Sequence, residues 1–271
     1  MHLGTDRAIA AHELDGGLIV DPGPESCVAS LLGSLREEPR ALLLTHIHLD
    51  HAGASGTLAR RFPALQVYVH VVGAPHLAEP DRLLRSAARL YGDDMKRLWG
   101  EFEAVPADRI VPLEGGETVL GLEVVYTPGH ASHHVAYIDR ECRDAYVGDV
   151  AGVRIPPSDL VVAPTPPPEV DLDAWERSLS ALAERAPERL HLAHFGAAEP
   201  GPAAIEAARE AVRAAAERSR GLDRGIFFAA AEADRARAGE GIAERIDQTA
   251  PVEQCWLGLE RYWRKRAELD D

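Results

Sequence analysis

The chain has 271 residues, and its 29 Lys and Arg against 44 Asp and Glu give a formal net charge of −15. Hydrophobic residues make up 46% and charged residues 27%, which indicates a globular chain and excludes a disordered or fibrous one. An acidic chain lacks the basic face that binds phosphates, so we expect no nucleic-acid partner.

The cysteines and the first residues favour a cytoplasmic location. Cys27, Cys142 and Cys255 are odd in number and far apart, so they do not predict a disulfide framework. The start of the chain lacks the basic and apolar parts of a secretion signal. No apolar stretch approaches the roughly 20 residues that span a bilayer, so we expect no membrane partner.

Short apolar runs alternate with helical patterns along most of the chain. The predicted strands are 18–20, 41–45, 67–69, 122–126, 134–138 and 145–147, and the predicted helices are 24–36, 53–61, 80–99 and 171–186. Strands that alternate with helices predict an α/β or mixed layered fold.

The last part of the chain is predicted to be helical. After Pro202 it is rich in Ala, Arg and Glu, which predicts helices to about residue 266. The sequence leaves open whether these helices form a separate lobe or a layer on the main core. Trp256, Tyr262 and Trp263 of the last helix predict either docking onto the body or a homodimer contact.

One short segment carries four candidate metal ligands in six residues: His46, His48, Asp50 and His51. It follows a predicted buried strand. In extended chain, residues two apart point the same way, so His46 and His48 can share one metal. The chain turns after them, so Asp50 and His51 can face a second metal. Zinc, manganese and iron select such imidazoles and carboxylates, whereas the alternative is a histidine-rich surface turn.

Three later side chains each follow a predicted strand or short apolar run: His130, Asp149 and His194. Taken singly, they have ordinary explanations as a loop cap, a turn aspartate and a core histidine. Behind the first motif, and in this order, they predict a two-metal set.

Together these residues resemble the metallo-β-lactamase-fold hydrolase superfamily, whose His-x-His-x-Asp-His signature stands here at residues 46–51. The resemblance covers about residues 15–196. It implies a four-layer αββα sandwich with metals at one edge between the two sheets. It also implies a catalytic domain over 1–199, with a helical insert at about 74–100, and a C-terminal helical extension over 200–271.

The resemblance further implies a role for each ligand. His46, His48 and His130 would hold one metal and Asp50, His51 and His194 the other, with Asp149 bridging them. Asp21 matches a family position behind the metals, although a plain turn aspartate is the alternative.

The expected cofactors are two divalent ions, zinc first, with iron or manganese as alternatives. A hydroxide that bridges them would attack a carbonyl carbon, and Asp50 would move the proton. The expected function is therefore hydrolysis of an ester, thioester or lactone bond in a small molecule.

Other members of the superfamily set the alternatives. The presence of Asp149 and the absence of a cysteine ligand disfavour antibiotic hydrolysis, and the acidic charge disfavours an RNA substrate. The C-terminal helices are similar to those of glyoxalase II relatives, whose glutathione-binding residues we do not match. A mononuclear iron sulfur oxygenase of the persulfide dioxygenase type and a non-enzymatic metal-binding module both remain open.

Four further side chains are candidates for contact with substrate. His133 follows the ligand His130, with an ordinary loop histidine as the alternative. Tyr91 and Trp99 belong to an amphipathic stretch that forms either a lid over the metals or a core helix. Arg154 would meet an acidic substrate; it precedes a stretch with six prolines in the thirteen residues 156–168, predicted as a stiff extended loop.

Overall fold

The structure is a computed structural model that describes residues 2–6, 8–239 and 241–270. The chain forms two compact units, here called the first unit (Met1–Tyr126 with His133–Asp139) and the second unit (Thr127–Ser132 with Arg140–Asp271). The expected domain boundary at residue 199 stays a prediction. No helix in the described ranges is long and apolar enough to cross a bilayer.

The first unit contains a mixed sheet in the order β1-β2-β3-β4-β5. Its strands are β1 (His12–Leu14), β2 (Leu18–Val20), β3 (Ala41–Leu43), β4 (Gln66–His70) and β5 (Ile110–Leu113). β1 pairs antiparallel with β2, and the other neighbours are parallel. β2 and β3 are buried along their whole length, as continuous apolar runs in parallel sheets are. Because they run parallel, the residues that follow both strands lie at one edge of this sheet.

The helices of the first unit connect and cover these strands. They are α1 (Val28–Ser34), α2 (Leu49–Ala52), α3 (Ser55–Arg61), α4 (Ala74–Ala78), α5 (Asp81–Tyr91) and α6 (Met95–Trp99). Leu42, Leu44, Leu58 and Val67 belong to the buried core between helices and sheet. α4, α5 and α6 lie in the range 74–100, for which we expect a helical insert.

A second set of strands in the first unit is antiparallel: β6 (Thr118–Val119), β7 (Leu122–Tyr126) and β8 (Val135–Asp139). β8 holds the chain that follows β3. The Val135 N–H donates to the Thr45 carbonyl at 2.8 Å, and the Tyr137 hydroxyl donates to the Leu44 carbonyl at 2.9 Å. Burial raises the pKa of Tyr137 well above its ordinary value, so this hydroxyl keeps its proton.

The described residues of the second unit include five strands: β9 (Asp144–Gly148), β10 (Val153–Arg154), β11 (Val161–Val162), β12 (Arg189–Leu192) and β13 (Ala197–Ala198). β12 pairs parallel with β9 and antiparallel with β13, while β10 and β11 form a separate hairpin. The expected proline-rich loop is thus interrupted by β11. Val161 and Val162 lie between the prolines and keep the backbone N–H groups that pairing needs.

The rest of the second unit is helical, as the composition predicts. Its helices are α7 (Leu172–Glu184), α8 (Gly201–Ser219), α9 (Arg224–Ala238), α10 (Ile242–Thr249) and α11 (Val252–Asp270). Trp256 of α11 is buried with its ring 5.5 Å from that of Phe227, and Trp263 donates its indole N–H to Ser219 Oγ at 2.8 Å. These aromatic residues therefore dock α11 within its own unit, and the homodimer stays a prediction.

Candidate metal centre

The Asp21 carboxylate accepts hydrogen bonds from two residues of the histidine segment, Thr45 and His51. Asp21 follows β2 with a φ of +50°, a left-handed conformation that Asp adopts more readily than most residues, and only 2% of it is exposed. Its Oδ1 accepts the Thr45 N–H at 2.8 Å. Its Oδ2 accepts the Thr45 hydroxyl at 2.7 Å and His51 Nδ1–H at 2.9 Å. One buried carboxylate thus fixes the start of the motif and one of its imidazoles.

The Thr45 hydroxyl links Asp21 to His46 through two hydrogen bonds. The Thr45 hydroxyl donates its single proton to Asp21, so it accepts from His46 Nδ1, 3.1 Å away. The His46 lone pair is therefore on Nε2, which lies 3.1 Å from His48 Nδ1. Asp21 thereby sets the tautomer of His51 directly and that of His46 through Thr45.

Local backbone geometry brings the four candidate ligands of the motif together. His48 is extended and precedes α2, which places Asp50 and His51 in its short helical turn. The pairs His46 and His48, His46 and His51, and Asp50 and His51 each offer ligand atoms within 4.8 Å of one another. The predicted change from extended chain to a turn is what the structure shows.

The second unit brings the other three candidates together around Asp149. Its Oδ2 lies 3.2 Å from His130 Nε2, and its Oδ1 lies 3.2 Å from His194 Nε2. All three residues are less than 5% exposed. The two carboxylate oxygens therefore face two different histidines, as a bridging ligand requires.

The Pro164 carbonyl fixes the tautomer of His130. His130 Nδ1 lies 2.8 Å from this oxygen, which can only accept, so Nδ1 carries a proton and the lone pair of the neutral ring is on Nε2. That lone pair faces a carboxylate oxygen of Asp149. Two electron-rich atoms at such a distance repel each other unless a positive charge lies between them. The donor set of neutral imidazoles and carboxylates fits a divalent metal ion.

The backbone before His130 is held against α7. Gly129 has a φ of +142°, and a Cβ there would lie 2.4 Å from Trp175 Cα. The Gly129 carbonyl accepts the Asp171 N–H at 2.8 Å, and the Pro128 carbonyl accepts the Ser178 hydroxyl at 2.6 Å. The turn before His130 thus needs glycine for both its conformation and its space.

Two of the residues predicted to contact substrate, His133 and Arg154, form contacts within the protein. His133 is buried and accepts the Ile47 N–H at 3.4 Å, with its ring 5.8 Å from that of His48. The Arg154 guanidinium lies 3.2 Å from the carboxylate of Asp159. Contacts of His133 and Arg154 with substrate stay predictions.

Tyr91 and Trp99 pack within the insert. Trp99 is 8% exposed and joins Leu49 and Ala87 in a small apolar cluster, with the Tyr91 ring edge-on at 5.1 Å. Leu49 lies between two candidate ligands, so the insert supports the ligand segment. A role of Tyr91 or Trp99 in contacting substrate stays a prediction.

Sequence reasoning missed two groups that orient histidines. Thr45 had a local signal, a hydroxyl residue between a buried strand and the first histidine. The Pro164 carbonyl had none, because every residue carries such a group and this one lies 34 positions from His130.

Comparisons with known proteins cover most of the chain. The family model of the metallo-beta-lactamase superfamily matches residues 9–194. The chain is 30% identical over 190 residues to the metallo-beta-lactamase fold-containing protein ST1585 of Sulfurisphaera tokodaii, which covers 68% of this chain and 70% of that protein. It is 32% identical over 124 residues to a hydroxyacylglutathione hydrolase of Aeromonas hydrophila, but this match spans only 44% of this chain and 37% of that enzyme.

Solved structures show the same fold. The crystal structure of ST1585 from Sulfolobus tokodaii matches with a TM-score of 0.71 at 23% identity, covering 95% of this chain and 94% of that one. TTHA1623 in a di-iron-bound form matches with a TM-score of 0.58 at 30% identity, covering 75% of this chain and 96% of that one. The fold class expected from the sequence is confirmed, and the chain belongs to the metallo-beta-lactamase superfamily.

Proposed function

We propose that the chain is a metal-dependent hydrolase that cleaves a thioester, ester or lactone bond in a small molecule. The observation that carries the proposal is the tautomer pattern. Asp21, Thr45 and Pro164 each accept a hydrogen bond from the Nδ1–H of a candidate ligand, which leaves Nε2 of that ring facing other ligand groups. Neutral imidazoles held in this way are what a metal centre requires.

The proposed metal ligands are His46, His48, Asp50, His51, His130, Asp149 and His194. Two facts support the combination. The superfamily match at residues 9–194 contains all seven in order, and their donor atoms suit zinc or iron. We propose two divalent ions, zinc in the first place, with iron as the alternative because TTHA1623 has a di-iron-bound form.

Such ions would supply a nucleophile from water near neutral pH and would polarise the carbonyl of the substrate. We assign the orientation of the ligands and the proton transfer to residues of the chain. Asp21 holds the His51 ring directly, and the His46 ring through Thr45, in one orientation. Asp50 has a side chain that is 21% exposed, against 1% for His51, so it can exchange a proton with solvent, and we assign it the proton transfer.

The relatives favour a thioester among the three bond types. Several curated relatives are hydroxyacylglutathione hydrolases, although the matches to them span less than half of each enzyme. The substrate is therefore proposed as a small acyl thioester, with esters and lactones as the other members of the class.

A substrate panel with matched variants tests the proposal. The purified chain loaded with zinc is assayed on acyl thioesters, esters and lactones, beside His46→Ala, Asp149→Asn and the control His191→Ala. His191 pairs with Asp144 at 2.8 Å and is not a proposed ligand. We expect turnover in the wild type and the control and a loss of at least about 100-fold in the two ligand variants.

Three outcomes would contradict the proposal. Undiminished hydrolysis in His46→Ala, with no bound metal, would remove the metal from the reaction. One iron per chain with oxygen uptake on a persulfide would favour the sulfur oxygenase. Bound metal without turnover on any substrate of the panel would favour a non-enzymatic module.

A further inference from the structure

His130 is oriented by a backbone carbonyl of the second unit. His130 Nδ1 donates to the Pro164 carbonyl, which lies in the proline-rich segment after β11. Proline has no N–H, so Pro164 cannot be tied into a sheet ladder by its own nitrogen. The position of its carbonyl must therefore depend on what packs against its neighbours.

Helix α11 packs against those neighbours on both sides of Pro164. Thr165, which is fully buried, donates its hydroxyl to the Cys255 carbonyl at 3.0 Å, and Cys255 Sγ lies 4.0 Å from the Ala163 carbonyl. Arg261 Nε, farther along α11, donates to the Pro168 carbonyl at 3.3 Å. The helix thus holds the segment before and after the residue that orients His130.

Gly258 makes this close contact possible. A Cβ at Gly258 would lie 2.0 Å from the Thr165 carbonyl oxygen and 2.9 Å from the carbonyl carbon of Pro166. A glycine inside a helix costs about 1 kcal/mol relative to alanine. The need for α11 to touch the backbone beside Pro164 explains why this residue has no side chain.

We propose that α11 is a positioning element for His130, in which Gly258 and Thr165 set the Pro164 carbonyl that fixes the ring's tautomer and direction. The inference rests on the proposed function for the role of His130 as a metal ligand. It assigns a part in the metal site to a helix that lies beyond the superfamily match, which ends at residue 194. Gly258 and Thr165 act through Pro164 and touch neither metal nor substrate.

Two matched pairs of variants test this role in the full-length chain. The first pair is Gly258→Ala and Gly33→Ala, because Gly33 also lies in a helix but a Cβ there would meet nothing within 4 Å. The second pair is Thr165→Val, which loses the hydroxyl, and Thr165→Ser, which keeps it. The second pair covers the case in which Gly258→Ala fails to fold.

The first measurement needs no metal. Nitrogen-15 NMR of the imidazoles in metal-free protein, with His130 assigned through His130→Gln, reports which ring nitrogen carries the proton. We expect the Nδ1–H form of His130 in the wild type, Gly33→Ala and Thr165→Ser. We expect a loss of that form, or a mixture of both tautomers, in Gly258→Ala and Thr165→Val.

The second measurement is zinc affinity by competition with a chromophoric chelator. We expect about 10- to 100-fold weaker binding in Gly258→Ala and Thr165→Val, as for other partners that orient a metal-binding histidine. An unchanged His130 tautomer together with affinities within twofold of the controls would overturn the inference. Absence of zinc binding by the wild type would instead overturn the proposed function, and the tautomer measurement would still decide the role of α11.

Discussion

At the scale of single residues, the site depends on where protons are held. The Asp21 carboxylate accepts three hydrogen bonds from Thr45 and His51 while almost fully buried. A buried carboxylate that accepts three hydrogen bonds keeps its partners in one orientation. His130 is likewise held in one orientation, in this case by the Pro164 carbonyl.

Substitution of Asp21 should therefore weaken metal binding without removing a ligand. In Asp21→Asn, the amide nitrogen cannot accept a hydrogen bond, so Thr45 or His51 loses its acceptor. We expect zinc affinity to fall about 10- to 100-fold in a chelator competition assay. The control is Asp144→Asn, whose carboxylate also binds a histidine, His191. An equal loss of affinity in both variants would contradict the role of Asp21.

His70 should make stability depend on pH. The residue is 4% exposed at the end of β4 with its ring stacked on Tyr126, and burial lowers its pKa below the ordinary 6.5 despite the nearby Glu117 and Glu114. The unfolded chain therefore takes up the proton first as the pH falls. The stability that neutral His70 contributes is fully present above about 6.5 and is lost as the pH falls toward the lowered pKa.

The check is urea unfolding of the wild type and His70→Gln between pH 7.5 and 5.5. The free energy of unfolding of the wild type should fall relative to that of the variant on acidification. One proton limits the slope of this difference to about 1.4 kcal/mol per pH unit. A difference that stays constant over the range would show that His70 titrates alike in both states.

The residues of the site differ in how far sequence could predict them. The spacing of His46, His48, Asp50 and His51 is local, so backbone geometry alone predicts that their side chains approach each other. Resemblance to the superfamily supplied the pairing of His130 and His194 with Asp149. Neither route reaches the Pro164 carbonyl, because tertiary packing and not residue type places it beside His130.

At the scale of elements, the observed ends of a strand and a helix differ from the predicted ends because of local hydrogen bonds and turns. The strand predicted over 41–45 ends at Leu43, because the Thr45 N–H bonds to Asp21 and not to a neighbouring strand. The helical pattern over 80–99 is broken by a 3-10 turn beginning at Gly92, whose φ of +50° stops α5. Periodicity predicted these elements, but side-chain acceptors and turn residues decided where they end.

The turn that carries His130 into the site gives an element-scale prediction. Gly129 and Gly116 both have positive φ, but a Cβ at Gly116 meets nothing within 4 Å, whereas one at Gly129 meets the Trp175 backbone. Gly116→Ala should cost about 1–2 kcal/mol of stability from backbone strain alone. Gly129→Ala should cost about 1–3 kcal/mol more because of overpacking against α7. An equal decrease in the free energy of unfolding for the two variants, measured in urea, would show that α7 accommodates the added methyl group without loss of stability.

At the scale of the whole molecule, metal binding should stabilise the folded chain. A metal that binds only the folded chain, at a free concentration 1,000 times its dissociation constant, adds about 4 kcal/mol to the free energy of unfolding. We therefore expect a chelator to lower the melting temperature of the wild type in calorimetry, and added zinc to restore it. His46→Ala should show a smaller shift. A melting temperature that is insensitive to chelation would argue against a metal centre in the fold.

The most direct test of the metal-dependent hydrolase is activity against metal content. Chelated, metal-free chain is titrated with zinc while thioester hydrolysis and bound zinc are measured on the same sample. We predict no hydrolysis without metal and a rise to a plateau at two ions per chain. Full hydrolysis in the metal-free chain would contradict the account.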